Sequence, residues 1–187
     1  MTALAPTRRA LLAEAFRATL ALVTVVAVAA ALLAALDGVP ALITGEPREL
    51  RRAGTVDEVE RRLRTRLVVP SFFPSSLAWP PGRVSWVAGP PGAVALSVAG
   101  RDGAPRLLIA QTLGPGSIPQ SLVPEADVLE RTPVTVGTAT GTLSRVVEDG
   151  VMAWQVTWVQ GGRTLLLRSR GTLDELLRMA RSAREAP

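Results

Sequence analysis

The chain contains no cysteine, histidine, tyrosine, lysine or asparagine, so each of its 21 basic residues is an arginine. The usual zinc and iron sites draw on thiolate or imidazole ligands, and neither side chain is present. Ser-His-Asp and Cys-His arrangements fail for want of an imidazole base. Schiff-base chemistry fails for want of a lysine amine. Carboxylate pairs, hydroxyls and guanidinium groups are the catalytic material that remains. The lack of cysteine also removes disulfides as a guide to compartment.

The formal net charge is +5. Three arginines and one glutamate precede residue 18, which leaves 18 arginines against 15 acids in the remainder. These arginines are not gathered into one basic run interleaved with aromatics, the pattern a nucleic-acid surface shows, so no nucleic-acid partner is expected.

Against these absences stands one long apolar run. Ala18 to Leu36 reads ATLALVTVVAVAAALLAAL, nineteen residues without a charge. As a helix it would span about 28 Å, close to the ~30 Å of a bilayer core. Only Thr19 and Thr24 interrupt its apolar surface, so it lacks the polar stripe of a buried core helix. The main alternative is a cleaved signal peptide, with Arg8, Arg9 and Arg17 as its basic region and small residues at its end. The run exceeds the roughly 7 to 15 residues of such a segment. An uncleaved transmembrane helix over residues 18–36 is therefore expected. Arg17 abuts one end, while Asp37 and Glu46 follow the other. By the positive-inside rule, residues 1–17 form a short cytoplasmic tail and the remainder lies outside the cell membrane.

Residues 37–54 hold Gly, Pro and charge and are expected as a juxtamembrane linker, leaving 55–187 as one extracytoplasmic domain. That domain opens on Thr55-Val-Asp-Glu58, a capping-box pattern, followed by Val56, Val59, Leu63 and Leu67 at helical spacing. Arg61, Arg62, Arg64 and Arg66 fall mostly on other faces; a solvated surface is expected, with lipid head groups as the sharper alternative. Strands are predicted at 83–88, 93–99, 106–113, 133–136, 138–147, 151–159 and 163–169. Gly89-Pro-Pro-Gly92, Asp102-Gly103, Asp149-Gly150 and Gly161-Gly162 separate them as turn signals, so neighbours should pair as antiparallel hairpins. Residues between Leu113 and Thr132 are expected as loop or a short helical turn. Glu125, Asp127 and Glu130 fall in this stretch, and Glu148-Asp149 at a turn is expected to be solvated.

The strand near Val151 alternates Met152, Trp154, Val156 and Trp158 against Ala153, Gln155 and Thr157, giving one wholly apolar face. Its expected cover is a C-terminal helix opened by a second capping box, Thr172-Leu-Asp-Glu175, with Leu173, Leu176, Leu177, Ala180 and Ala183 along one side. The two helix starts share a Gly-Thr-x-Asp-Glu-x-x-Arg pattern. No matching period joins them through the strands, so each solves the same capping problem separately.

Between the first helix and the strands lies LVVPSFFPSSLAWPPG. Pro70, Pro74, Pro80 and Pro81 each lack a backbone donor, so this segment is expected as a rigid loop at the sheet edge carrying Phe72, Phe73 and Trp79. Phe72 and Phe73 either plug one end of the core, or at least one of the three rings projects onto a ligand or partner. These three are the candidate contact residues.

LVVPSFFPSS, followed by strands and then by WQVTWVQGGRTLLLRSRGTLDELLRMARS, resembles the bacterial domain of unknown function 4367 family over about Leu67 to Ser182. Ser75-Ser76 stands where that family usually carries Glu-Gly, and the penultimate strand has no tyrosine. Members sit outside the membrane behind a single helix, some as the outer parts of anti-sigma factors, and their fold is similar to the lipoprotein-carrier half-barrels. The resemblance implies an α+β domain with a curved, half-barrel-like antiparallel sheet packed with a C-terminal helix. With only residues 1–17 before the apolar run, a sigma-binding domain is not expected here.

The function expected from all this is a membrane-anchored extracytoplasmic binding or scaffold module, an accessory subunit or sensor domain of a membrane-associated complex. Its partners would be the lipid bilayer and a protein of that complex. The alternative is a carrier of lipid or a small hydrophobic ligand on the concave face of the sheet. No cofactor, metal or enzymatic activity is expected.

Overall fold

The computed structural model describes residues 49–185. The expected membrane helix, the cytoplasmic tail and most of the linker lie outside the described residues. Among those described, no helix is long and apolar enough to cross a membrane.

The two-residue turns do what their chemistry demands. Asp149 and Gly150 have φ of 52° and 76°, and Gly161 and Gly162 have 58° and 74°. Positive φ at both central positions matches the right-handed twist of the flanking strands, so each pair closes a tight hairpin. The elements run β1 (Arg51–Ala53), α1 (Val56–Leu63), β2 (Val68–Pro70), β3 (Leu77–Val87), β4 (Ala93–Gly100) and β5 (Pro105–Thr112). A 3-10 turn (Gln120–Leu122) then leads to β6 (Asp127–Val136), β7 (Ala139–Glu148), β8 (Val151–Gln160), β9 (Arg163–Ser169), α2 (Leu173–Arg181) and β10 (Ala183–Glu185). One eight-stranded antiparallel sheet has the order β1-β3-β4-β5-β9-β8-β7-β6, and β10 pairs with β2 as a separate ribbon. The class is α+β, as expected from the sequence.

Period-2 alternation gives the sheet two apolar faces. The inner face is the main core: Val84, Trp86, Val94, Leu96, Val98, Leu107, Ile109, Val156, Trp158, Leu165 and Leu167 pack with Val59 of α1, Leu67 and Val68, and Leu176, Met179 and Ala180 of α2. Trp154 joins this cluster, but Met152, expected on the same apolar face, is 43% exposed because it lies beyond the reach of α2 near the strand's end. On α2 the inward line is Leu176, Met179 and Ala180, while Leu173 and Leu177 are only half-buried and Ala183 belongs to β10. The outer face carries a smaller cluster, Val87, Ala93, Ala95, Ala110 and Leu166, closed by Leu122 of the 3-10 turn with Ile118 and Val123.

The capping box of α2 forms as read, whereas at α1 only the Thr55 half does and the glutamate caps one residue earlier. Thr55 Oγ1 accepts from Glu58 N, and Glu58 Oε2 accepts from Gly54 N. At α2, Thr172 and Glu175 satisfy each other's backbone N–H groups reciprocally.

Five strands depart from the expected pattern. β1 lies inside the segment expected as linker and pairs Arg51 to Ala53 with Trp86 to Val84, with the Arg51 guanidinium 5.3 Å from the Trp86 ring centroid. β6 begins at Asp127, where loop was expected; it is an edge strand exposed over residues 127–133, so no alternation marks it. β2 and β10 are three-residue strands that pair Val68, Val69 and Pro70 with Glu185, Arg184 and Ala183. β3 begins at Leu77 rather than 83: Leu77 and Ala78 pair with Gly100 and Ala99, and the register then shifts before Arg83. The irregularity takes Pro80 and Pro81 out of the ladder, where neither needs a backbone donor.

Candidate functional site

The aromatic segment is fastened at both ends. Ser71 N donates to the Ser182 carbonyl at 3.1 Å and Phe72 N to Ser182 Oγ at 3.1 Å, which ties the turn after β2 to the end of α2. The Arg178 guanidinium of α2 stands 3.9 Å from the centroid of the Phe72 ring. Phe73 stacks on Trp79 with centroids 4.6 Å apart and planes inclined at 30°. Phe72 and Phe73 are half-buried against the main core, whereas Trp79, in the irregular part of β3, is 44% exposed. The structure thus joins Phe73 to Trp79 and puts Phe72 under a different support. The expectation that the whole segment stays out of a ladder is corrected, since Pro70 pairs in β2 and Leu77 and Ala78 pair in β3, while residues 71–76 and 79–82 stay out.

Beneath this segment, Gln111 does the work of a missing strand. Its fully buried amide accepts from Val68 N and donates to the Val68 carbonyl, both at 2.9 Å, so a side chain reproduces the pairing that a neighbouring backbone would supply. Replacing one partner would leave buried polar groups unsatisfied, at a cost of about 1–3 kcal/mol. Glu60 Oε1 also accepts from Leu67 N at 2.7 Å, and Arg163 Nη1 donates to the Arg66 carbonyl at 2.7 Å. These bonds hold β2 across the sheet.

On the outer face, Arg168 organises a buried polar network. Its guanidinium is 6% exposed; Nε donates to Gln155 Oε1 at 3.0 Å and Nη1 to the Pro124 carbonyl at 2.8 Å. Glu148 Oε1 lies 3.4 Å from Arg168 Nη1, and its other oxygen lies 3.7 Å from Arg170 Nη2. Burial pushes the Arg168 pKa down, and the Glu148 carboxylate opposes that shift. Glu148 is therefore a partner of two guanidiniums, which corrects its expected role as a merely solvated turn residue. The segment between β5 and β6 is strapped to the sheet by Arg168 and by Thr164 Oγ1, which donates to the Gly116 carbonyl at 2.6 Å.

Two clefts border this strap. One of about 340 Å³ is lined by Arg52, Arg83, Ser85, Ser97, Ser121 and Glu125 among others, and one of about 290 Å³ includes Arg83, Glu148, Arg168 and Arg170. A third, of about 350 Å³, lies by the β4–β5 turn between Leu77, Arg101, Asp102 and Glu175. There the Arg106 side chain, with help from the Ala104 N–H, holds Asp102 below the ordinary carboxylate range.

Gln111 and Arg168 escaped the sequence reading, although each carries a signal, and Glu148 was read there only as a solvated turn residue. Gln111 and Arg168 sit in the otherwise apolar strands LLIAQT and RTLLLRS, where a polar residue at a buried position must find a partner. Among the described residues no group of three or more acidic side chains is arranged to hold a metal ion. No protein-family model matches the chain, and no curated protein and no solved structure matches it.

Proposed function

We propose that the chain is a membrane-anchored extracytoplasmic binding or scaffold module, with its sheet forming a half-barrel-like frame closed by α1 and α2. The observation that carries this reading is the packing of the inner face. Leu67, Leu96, Leu176, Met179 and Val59 are fully buried there, and Gln111 seals β2 over them. A carrier of hydrophobic molecules needs an apolar cavity left open for its cargo. The clefts described lie instead around the rim and on the outer face, where charged and hydroxyl side chains are mixed with apolar ones. Anchoring rests on the uncharged run Ala18 to Leu36, and placement outside the membrane on Arg17 against Asp37 and Glu46.

Trp79, held by its stack on Phe73, is the proposed contact for a protein partner. An exposed ring already fixed in place gives contact area at low entropic cost. Native mass spectrometry of the full chain released from neutral detergent tests the scaffold against the carrier. The scaffold predicts no retained apolar cargo, whereas a hydrophobic molecule without a phosphate group, retained one to one through detergent exchange, would favour the carrier.

A further inference from the structure

The outer-face cleft beside β1 holds two arginines with no carboxylate partner among the described residues. Arg52 lies opposite Ser85, and Arg83 lies two residues before Ser85 on the same face of β3, opposite Ser97 of β4. Arg52 and Arg83 are therefore diagonal neighbours, with backbones about 7–8 Å apart, within reach of one another's long side chains. Among the described residues neither takes part in an ion pair; the outer-face bridges belong to Arg106, Arg168 and Arg170. Ser85 and Ser97 are half-buried on the cleft floor, and Ser121 of the strap stands on its wall.

Two like charges held side by side repel, and an anion between them turns that repulsion into attraction. We propose that this cleft binds a phosphate-bearing group, with Arg52 and Arg83 gripping its oxygens and the serine hydroxyls donating from the floor. A guanidinium presents paired donors that match phosphate geometry. Glu125 also lines the cleft and opposes the anion, but one carboxylate faces two guanidiniums. Arg83 further borders the second cleft, whose lining adds Arg106, Arg168 and Arg170 against Glu148 and Asp149, so the neighbouring field is positive as well. The phosphate could belong to a lipid headgroup or to a soluble ion. Leu50, on the cleft's rim and 43% exposed, is separated from the apolar run only by residues 37–49.

The test is calorimetric titration of the full chain in neutral detergent, at matched ionic strength, with inorganic phosphate and with dihexanoyl phosphatidylglycerol. Saturable binding of either supports the site: equal affinity for both identifies phosphate itself as the ligand, and preference for the phospholipid identifies the headgroup. Arg83→Gln should weaken binding about tenfold, the loss of one charge-assisted paired contact. Glu125→Gln should strengthen it, a gain that unfolding cannot mimic. Arg61→Gln, on α1, should leave it unchanged. Absence of binding by both probes, or equal weakening by Arg83→Gln and Arg61→Gln, overturns the proposal. A chain that stays with membranes yet binds neither probe removes this site and leaves the scaffold reading standing.

Discussion

Arg168 shows how a single side chain can decide whether a surface layer stays attached. Its guanidinium bonds to the strap, to Gln155 and to Glu148 at once, and it has almost no water to replace them. Arg168→Met should cost about 3 kcal/mol, toward the low end for breaking a buried pair because Arg170 still faces Glu148. Adding Glu148→Gln should recover part of that loss, since the carboxylate left with Arg170 as its one guanidinium partner is gone. Urea denaturation of the two single variants and the double variant checks both statements; independent, additive losses would mean that the two residues do not act as a pair. The aromatics divide differently. Phe72→Ala and Phe73→Ala should each destabilise by about 2–3 kcal/mol, below the cost of a fully buried phenylalanine because both rings are half-buried. Trp79→Ala should shift melting little and weaken capture of the protein partner. A large loss of stability at Trp79 with intact capture would move the contact surface elsewhere.

At the scale of elements, α2 shows which parts of the fold were legible. Its capping box, its start and its cover of the Trp154, Val156 and Trp158 face all follow from residue types at fixed offsets. The hairpins from β7 to β9 were legible for the same reason, because local turn chemistry and alternation agree there. β1, β2 and β10 were not, since three residues carry no period, and their pairing is set by partners far away in sequence. The first half of β6 escaped because it lies exposed at the open edge. The register shift near Val128 and the presence of Pro133 interrupt that edge, devices that discourage further strands from adding to it. Of the candidate site, the three aromatics were legible as a group. Their separation into a stack and a cation-bearing ring depends on Arg178, which belongs to a distant helix. Leu176→Asp should unfold or nearly unfold the domain, since it places a charge at a fully buried position. Thr172→Ala should cost about 1 kcal/mol through the lost cap. Near-native melting of Leu176→Asp would mean that α2 does not hold the sheet.

For the molecule as a whole, the two apolar features of the chain have different fates in this account. The apolar face of the sheet is consumed by its own helices and ribbon, so it leaves little for a hydrophobic cargo. The apolar run Ala18 to Leu36 is proposed to lie in the bilayer. Recognition then falls to the rim and the outer face, where Trp79, Arg52 and Arg83 are exposed. The most direct measurement of this division is protease treatment of intact spheroplasts carrying the full chain with a C-terminal epitope, followed by carbonate washing of their membranes. The account predicts that the epitope stays with carbonate-washed membranes and is destroyed by protease added outside. An epitope released in soluble form with a new N-terminus near Leu36, or one protected from external protease, would contradict it.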